Sequence, residues 1–233
     1  MALIMGSLYA GWYRWPGWYL ADASQVALVM LGVDVGLGPL LTFVIASPKK
    51  SRRDLGRDIA IIVLVQLIAL AYGSVSLWNG RPLYYAFSVN CLSLVQAYDI
   101  DKADAVLGRE RNPSLAPHWY SLPRWIWAPL PDDPAQSEKI VGSAVSGGAD
   151  VTAMPIYYKA FSAGLPALRV QLQKVDDIKF FSAGQKKVLK ARMQAAGIPP
   201  DRANALAFTG RAHPLLAVFD PASSKLTATF KFD

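Results

Sequence analysis

Cysteine is nearly absent from this chain. Cys91 stands alone among 233 residues, which excludes an intramolecular disulfide and any CxxC or Cys/His zinc cluster. Histidine is almost as scarce, with only His118 and His213, and no HExxH helix or GxSxG elbow accompanies them. Charge is thin as well, at 18% of residues against 53% hydrophobic. A positive mean hydropathy of +0.24 fits a membrane module joined to a water-soluble domain rather than one soluble globule. The net charge of +7 does not mark a nucleic-acid partner. Five of the seven Lys and Arg in residues 1–83 crowd between Lys49 and Arg57, and no basic stripe interleaved with stacking aromatics follows. No catalytic site, metal, cofactor or small-molecule substrate is expected. Cys91 reads as a small residue in or beside a strand, and the histidines as loop residues. The pairs Asp132-Asp133 and Asp176-Asp177 read as helix caps or solvated acids. A hydrolase triad, whose members lie far apart along a chain, would need His118 or His213 beside a nucleophile.

What the chain does have is long apolar runs. Val26 to Ile45 is twenty residues by count, about the length a helix needs to cross a bilayer core. Asp34 sits near its middle, where a charge costs about 3 kcal/mol on insertion scales, so it must be paired, hydrated or kept protonated. Gly32, Gly36, Gly38 and Pro39 surround it. At helical pitch Ala27, Leu31, Asp34, Gly38 and Thr42 share one face, a stripe of mostly small residues that lets a second helix approach closely. Pro39 cannot donate to the carbonyl of Val35, so a local kink is expected. Ile59 to Trp78 is the second run, again twenty residues, and its small and polar face is Gln66, Ala69, Gly73 and Ser76. Tyr72 lies at the depth of Asp34 and is its best partner within the chain. Two readings follow from these faces: a helix pair whose acid is satisfied internally, or a surface that also receives a partner helix.

The five positive charges between the two runs place loop 47–57 in the cytoplasm by the positive-inside rule. Both outer ends then carry aromatics: Trp12, Tyr13, Trp15, Trp18 and Tyr19 before the first run, and Trp78, Tyr84 and Tyr85 after the second, as an interfacial belt would. Residues 1–11 are apolar but too short to span, and read either as an interfacial segment or, the preferred reading, as the outer end of a helix that begins earlier. The fold class expected is a membrane protein with two complete transmembrane helices (26–45 and 59–78) plus a partial N-terminal one, residues 1–80. A small extracytoplasmic α+β domain with an antiparallel sheet follows, residues 81–233. Its strands are expected at 84–89, 92–97, 124–130, 215–219 and 225–232, and its helices at 99–107, 133–145, 166–175 and 184–196. The pieces 109–123 and the stretch through His213-Pro214 read as loops, and 154–158 as extended. Trp119, Tyr120, Trp125 and Trp127 form an aromatic group fit for a binding surface, core packing or a membrane-facing collar.

LGVDVGLGPLLTF at 31–43, the basic SPKK loop, RDIAIIVLVQLIALAYG at 57–73 and RPLYYAF at 81–87 together resemble the TfpX/TfpZ family of type IV pilin accessory proteins. The resemblance is strong over residues 25–90 and loose beyond. It covers Gly32, Asp34, Gly38, Pro39, Leu40, Leu41 and Thr42, then Asp58, Gln66, Ala69, Tyr72 and Gly73, then Arg81 and Pro82. One departure is that only MALIMGSLYA stands where the family has a full hydrophobic helix. The resemblance implies a non-enzymatic bacterial inner-membrane protein, chaperone-like, that assists pilin stability or pilus assembly, with its C-terminal domain periplasmic. It implies a type IV pilin as partner; the surface expected to dock the pilin's apolar N-terminal helix, read from the small-residue helix faces, is Gly32, Asp34, Gly36, Gly38, Pro39, Thr42, Gln66, Tyr72 and Gly73, with the lipid bilayer as surroundings. The alternative is a membrane-anchored periplasmic ligand-binding or sensor subunit.

Overall fold

The computed structural model describes residues 2–37, 39, 51–202, 204–211 and 213–232, with the backbone alone at 2–5, 34, 37 and 52. The chain divides into two compact units, Met1–Arg81 and Pro82–Asp233.

The first unit is helical. Helix α1 (Ala2–Gly11) leads to a short α2 (Gly17–Leu20) and to α3 (Ala23–Leu31). The ladder of α3 loosens into a π-helical stretch, Gly32–Leu37, directly before Pro39. A proline removes one donor from the i→i−4 series, and an expanded turn is one way a helix absorbs that loss. The second half of the run 26–45 and most of the basic loop, residues 40–50, lie outside the described residues. Helix α4 (Arg52–Asn79) begins earlier than the pattern indicated, because Ser51 caps it: its side-chain oxygen accepts from the amide of Asp54 at 3.2 Å. The charged residues 52–57, expected in the loop, therefore form its first turns. At about 1.5 Å per residue it is about 42 Å long. Among the described residues it is the one helix long and apolar enough to cross a membrane, and 11% of its most apolar stretch is buried. Two complete spans are thus not what the described residues contain.

The end of α4 is closed with care. The last four carbonyls of any helix lack intrahelical donors. Here the Gly80 amide donates to Ser76 at 2.9 Å, and the Tyr13 hydroxyl to Leu77 at 2.7 Å. The Arg81 guanidinium donates to Trp78 at 2.8 Å and lies 4.4 Å over the Trp78 ring. Tyr13 is buried, and Trp12 meets Trp78 edge-on at 5.2 Å. Part of the expected aromatic belt is therefore turned inward as packing.

The second unit is built on one seven-stranded sheet. Its strands are β1 (Pro82–Ser88), β2 (Cys91–Gln96), β3 (Arg124–Trp127), β4 (Lys159–Ala160), β5 (Ala205–Thr209), β6 (Leu215–Phe219) and β7 (Leu226–Phe230). The spatial order is β4-β3-β1-β2-β5-β6-β7. The β1–β2 and β6–β7 pairs are antiparallel as expected. The sheet as a whole is mixed, not antiparallel, because β3 runs parallel to β1 and β5 parallel to β2. Such pairs need long crossovers, which α5 (Lys102–Arg111) and the helical segments before β5 provide.

Helices α6 (Pro134–Val145) and α8 (Ala183–Ala195) start where their caps dictate, whereas α7 (Leu165–Gln171) follows Gly164 without a side-chain cap. Asp133 accepts from Ala135, and Ser182 with Gln185 forms a capping box. Helix α5 is capped by Asp101, not Asp99, whose carboxylate instead accepts from the Gln96 amide at 2.7 Å. Residues 151–153 and 155–157 are 3-10 turns rather than an extended piece.

Both faces of the sheet are covered, so β1 is buried at every position. One face packs Tyr84, Ala86, Val95, Ile126 and Tyr158 at one end, and Ala205, Ala207, Leu216 and Val218 under α8 at the other. The opposite face carries Tyr85, Trp125 and Phe208, with ring centroids 5.1 to 5.9 Å apart. Phe161 joins them beside Trp125, and a side chain at Gly164 would collide with Trp127. Trp125 and Trp127 are thus half-buried packing aromatics.

Two buried phenols tie the first face together. Tyr84 donates to the carbonyl of Leu115 at 2.8 Å and Tyr158 to that of Thr152 at 2.5 Å. Burial raises both above the ordinary tyrosine value of 10.0. Their folded pKa exceeds the unfolded one, so their contribution is complete below pH 10 and drains away as pH rises through the folded values. Tyr158→Phe should cost about 1–3 kcal/mol at pH 7, by leaving the Thr152 carbonyl unpaired, and should flatten the loss of stability above pH 10. Denaturant titrations of the full chain at pH 7 and pH 11 check both parts.

Candidate functional site

The helices of the first unit carry the surface that the sequence singles out. Helix α4 shows one covered stripe, in which Ile62, Gly73 and Leu77 are buried and Gln66, Ala69 and Ser76 are half-buried. That is the small and polar face read from helical spacing. The rest of the helix is bare: Ile61, Leu64, Val65, Leu67, Ile68 and Val75 are exposed.

The stripe is covered by α3, at a point that helical periodicity alone did not locate. Met30 is buried and lies so close over Gly73 that a β-carbon there would collide with its Cγ and Sδ. An unbranched thioether suits such a gap, because it can adapt its shape to the backbone opposite. Sequence reasoning missed Met30; its only signal is an unbranched apolar residue one helical step from the predicted stripe. The packing face of α3 therefore runs through Ala23, Ala27, Met30 and Val33, buried or half-buried. Leu31, expected on the docking stripe beside Asp34, is exposed on the other side.

The predicted site residues separate into groups. Gly73 belongs to the contact between α3 and α4, and Gln66 is half-buried on the same face of α4. Gly32 and Gly36 are exposed, and a β-carbon on either would meet nothing within 4 Å. Val35 beside them is 62% exposed. Pro39 is exposed as well. Asp34 has its backbone in the π-helical stretch, and its side chain lies outside the described residues, as do Gly38 and Thr42. Tyr72 is 77% exposed on α4, pointing away from the covered stripe. The described residues thus hold two distinct surfaces: an internal seam at Met30 and Gly73, and an open glycine-bearing edge at Gly32 and Gly36.

The second unit offers no comparable convergence of reactive groups. Among the described residues no three His, Cys, Asp or Glu side chains group closely enough to hold a metal. Cys91 opens β2, and burial pushes its thiol up from the ordinary value, against a hydrogen bond from Ser93 that lowers it. A half-buried thiol whose ionisation is pushed up is a poor nucleophile. His118 stacks on Tyr120 at 5.5 Å.

Comparison with known proteins adds a second line of evidence. A fimbrial assembly protein of serogroup I from Dichelobacter nodosus is 25% identical over 199 residues, covering 84% of this chain and 75% of that one. A serogroup E1 counterpart from the same organism is 24% identical over 204 residues, 86% and 77% of the two chains. This chain is similar to fimbrial assembly proteins. A third relative, of serogroups C1 and C2, is 29% identical over 99 residues, 42% of this chain and 76% of its own. No family model matches, and no solved structure matches.

Gly73→Leu should drive Met30 out of its seat and separate α3 from α4, at about 1–3 kcal/mol for overpacking, and Met30→Ala should restore part of that loss. Thermal unfolding of the four combinations in detergent, analysed as a double-mutant cycle, checks the seam. Equal, additive losses would contradict it.

Proposed function

We propose that this chain is a non-enzymatic inner-membrane accessory protein for type IV pili, of the TfpX/TfpZ kind. In this reading it stabilises pilin, or assists assembly, by docking the pilin's apolar N-terminal helix. The basic segment 47–57 faces the cytoplasm, residues 26–45 and 59–78 cross the bilayer, and the sheet domain stands in the periplasm. The observation that carries the reading is the run of relatives named fimbrial assembly proteins along most of the chain. Support from the molecule is the open edge of Gly32 and Gly36, next to the seam that already holds α3 against α4. In hydrocarbon, helices associate through close packing over small residues and through polar contacts, since lipid tails give no hydrophobic drive. An apolar helix without a partner is satisfied by lipid, so a holder must offer a shape that lipid fills poorly.

Asp34 supplies the polar term. It belongs to the same stretch as Gly32 and Gly36 and, in this reading, pairs with the free terminal amine of the pilin. Protonated Asp34 bonded to Tyr72 is the rival arrangement, and the exposure of Tyr72 favours the guest amine.

The test is pilin abundance and surface piliation in cells carrying single substitutions. Gly36→Leu should lower both while leaving the accessory protein at its normal level. Asp34→Asn should do the same if the carboxylate meets an amine, whereas a protonated Asp34 would tolerate Asn and fail only as Asp34→Leu. Unchanged pilin in all three strains would refute the docking role.

A further inference from the structure

We propose that the turn His118–Ser121 with Leu122 is a second membrane contact, an aromatic foot that the periplasmic domain sets into the lipid headgroup zone. The proposal rests on α4 spanning the bilayer, as in the reading above, but not on any pilin.

The turn is well defined. The Ser121 amide donates to the His118 carbonyl at 3.0 Å, and the His118 amide donates to the Ser121 hydroxyl at 2.9 Å. These bonds push Trp119 and Tyr120 to the tip. They are 70% and 60% exposed, and Leu122 next to them is 53% exposed. Trp119 and Tyr120 meet edge-on at 5.5 Å, with His118 stacked on the other side of Tyr120. Three consecutive large side chains held in water by a hydrogen-bonded turn are uncommon. Trp and Tyr are the residues whose apolar body and polar tip suit the membrane–water interface.

Topology says which end of the sheet bears this turn. Strand β3 runs parallel to β1 with Arg124 opposite Tyr84, so the residues just before β3, Leu122 among them, lie at the end of the sheet where β1 begins. Only Gly80 and Arg81 separate Pro82 from the last residue of α4. The turn thus lies at the end of the sheet by which the chain enters from α4. Lipid is therefore the occupant the chain itself brings to this turn. Arg124, exposed at the base of the turn, would add attraction to anionic headgroups.

The test uses the full chain in vesicles of phosphatidylethanolamine and phosphatidylglycerol, with Cys91→Ser as background and no other protein present. A polarity-sensitive fluorophore is attached in turn at Tyr120→Cys, Val65→Cys and Val170→Cys, and quenching by headgroup and acyl-chain spin-labelled lipids is measured. Val65 lies in the apolar part of α4. Val170 is 81% exposed and lines a cleft with Val89, at the far end of β1, which its seven residues carry about 20 Å away. The expected result is acyl-chain quenching at 65 and headgroup quenching at 120 severalfold above that at 170. Quenching at 65 with position 120 no stronger than 170 would overturn the foot alone, and would mean that the turn serves a protein instead. No quenching at 65 would overturn the membrane anchor and the foot with it.

Discussion

Met30 lying across Gly73 is the contact on which the helical unit of this molecule turns. It fixes the rotation of α3 against α4, and rotation decides everything about the remaining faces. With Met30, Ala27 and Ala23 committed to the seam, the backbone at Gly32 and Gly36 is left on the outside. A side chain larger than hydrogen at 73 would roll α3 away and change which residues a guest helix meets. The seam is internal, and the open edge is its geometric consequence.

The second constraint is the one hydrocarbon places on any helix end. Carbonyls without donors are costly where water is scarce. Here three of the four at the end of α4 are met by Gly80, Tyr13 and Arg81. This gives a physical meaning to two segments that stood out as strings in the sequence. The tryptophan–tyrosine cluster ahead of α3 supplies the phenol, and the Arg-Pro pair after α4 supplies the guanidinium and the start of β1. Both close a helix end, and they do so at the junction from which the sheet domain departs.

Much of this was legible beforehand. The periodicity of 59–78 located the covered face of α4, because a small and polar stripe on an apolar helix has no other use than contact. Asp133 and the closing hairpin were readable from turn and cap chemistry. What sequence could not give was partner choice. The Tyr13–Leu77 bond spans 64 residues, and nothing local announces it. Strand β5 (ALAFT) was passed over as loop because a five-residue apolar run buried on both faces shows no alternation, and its parallel neighbour β2 is far away in the chain. The same blindness turned a mixed sheet into an antiparallel one. The aromatic group 119–127 divides at Ser121, with Trp125 and Trp127 half-buried in packing and Trp119 and Tyr120 outside, since strand register decides the first pair and a hydrogen-bonded turn the second.

The central claim is that a guest pilin helix lies along the Gly32–Gly36 edge of α3 and not elsewhere on the anchor. Photocrosslinking in living cells tests it most directly, with a photoreactive residue placed at Gly36 or, on the exposed side of α4, at Val65. The account predicts a pilin adduct from position 36 and none from position 65. Adducts of equal yield from both, or from position 65 alone, would contradict it.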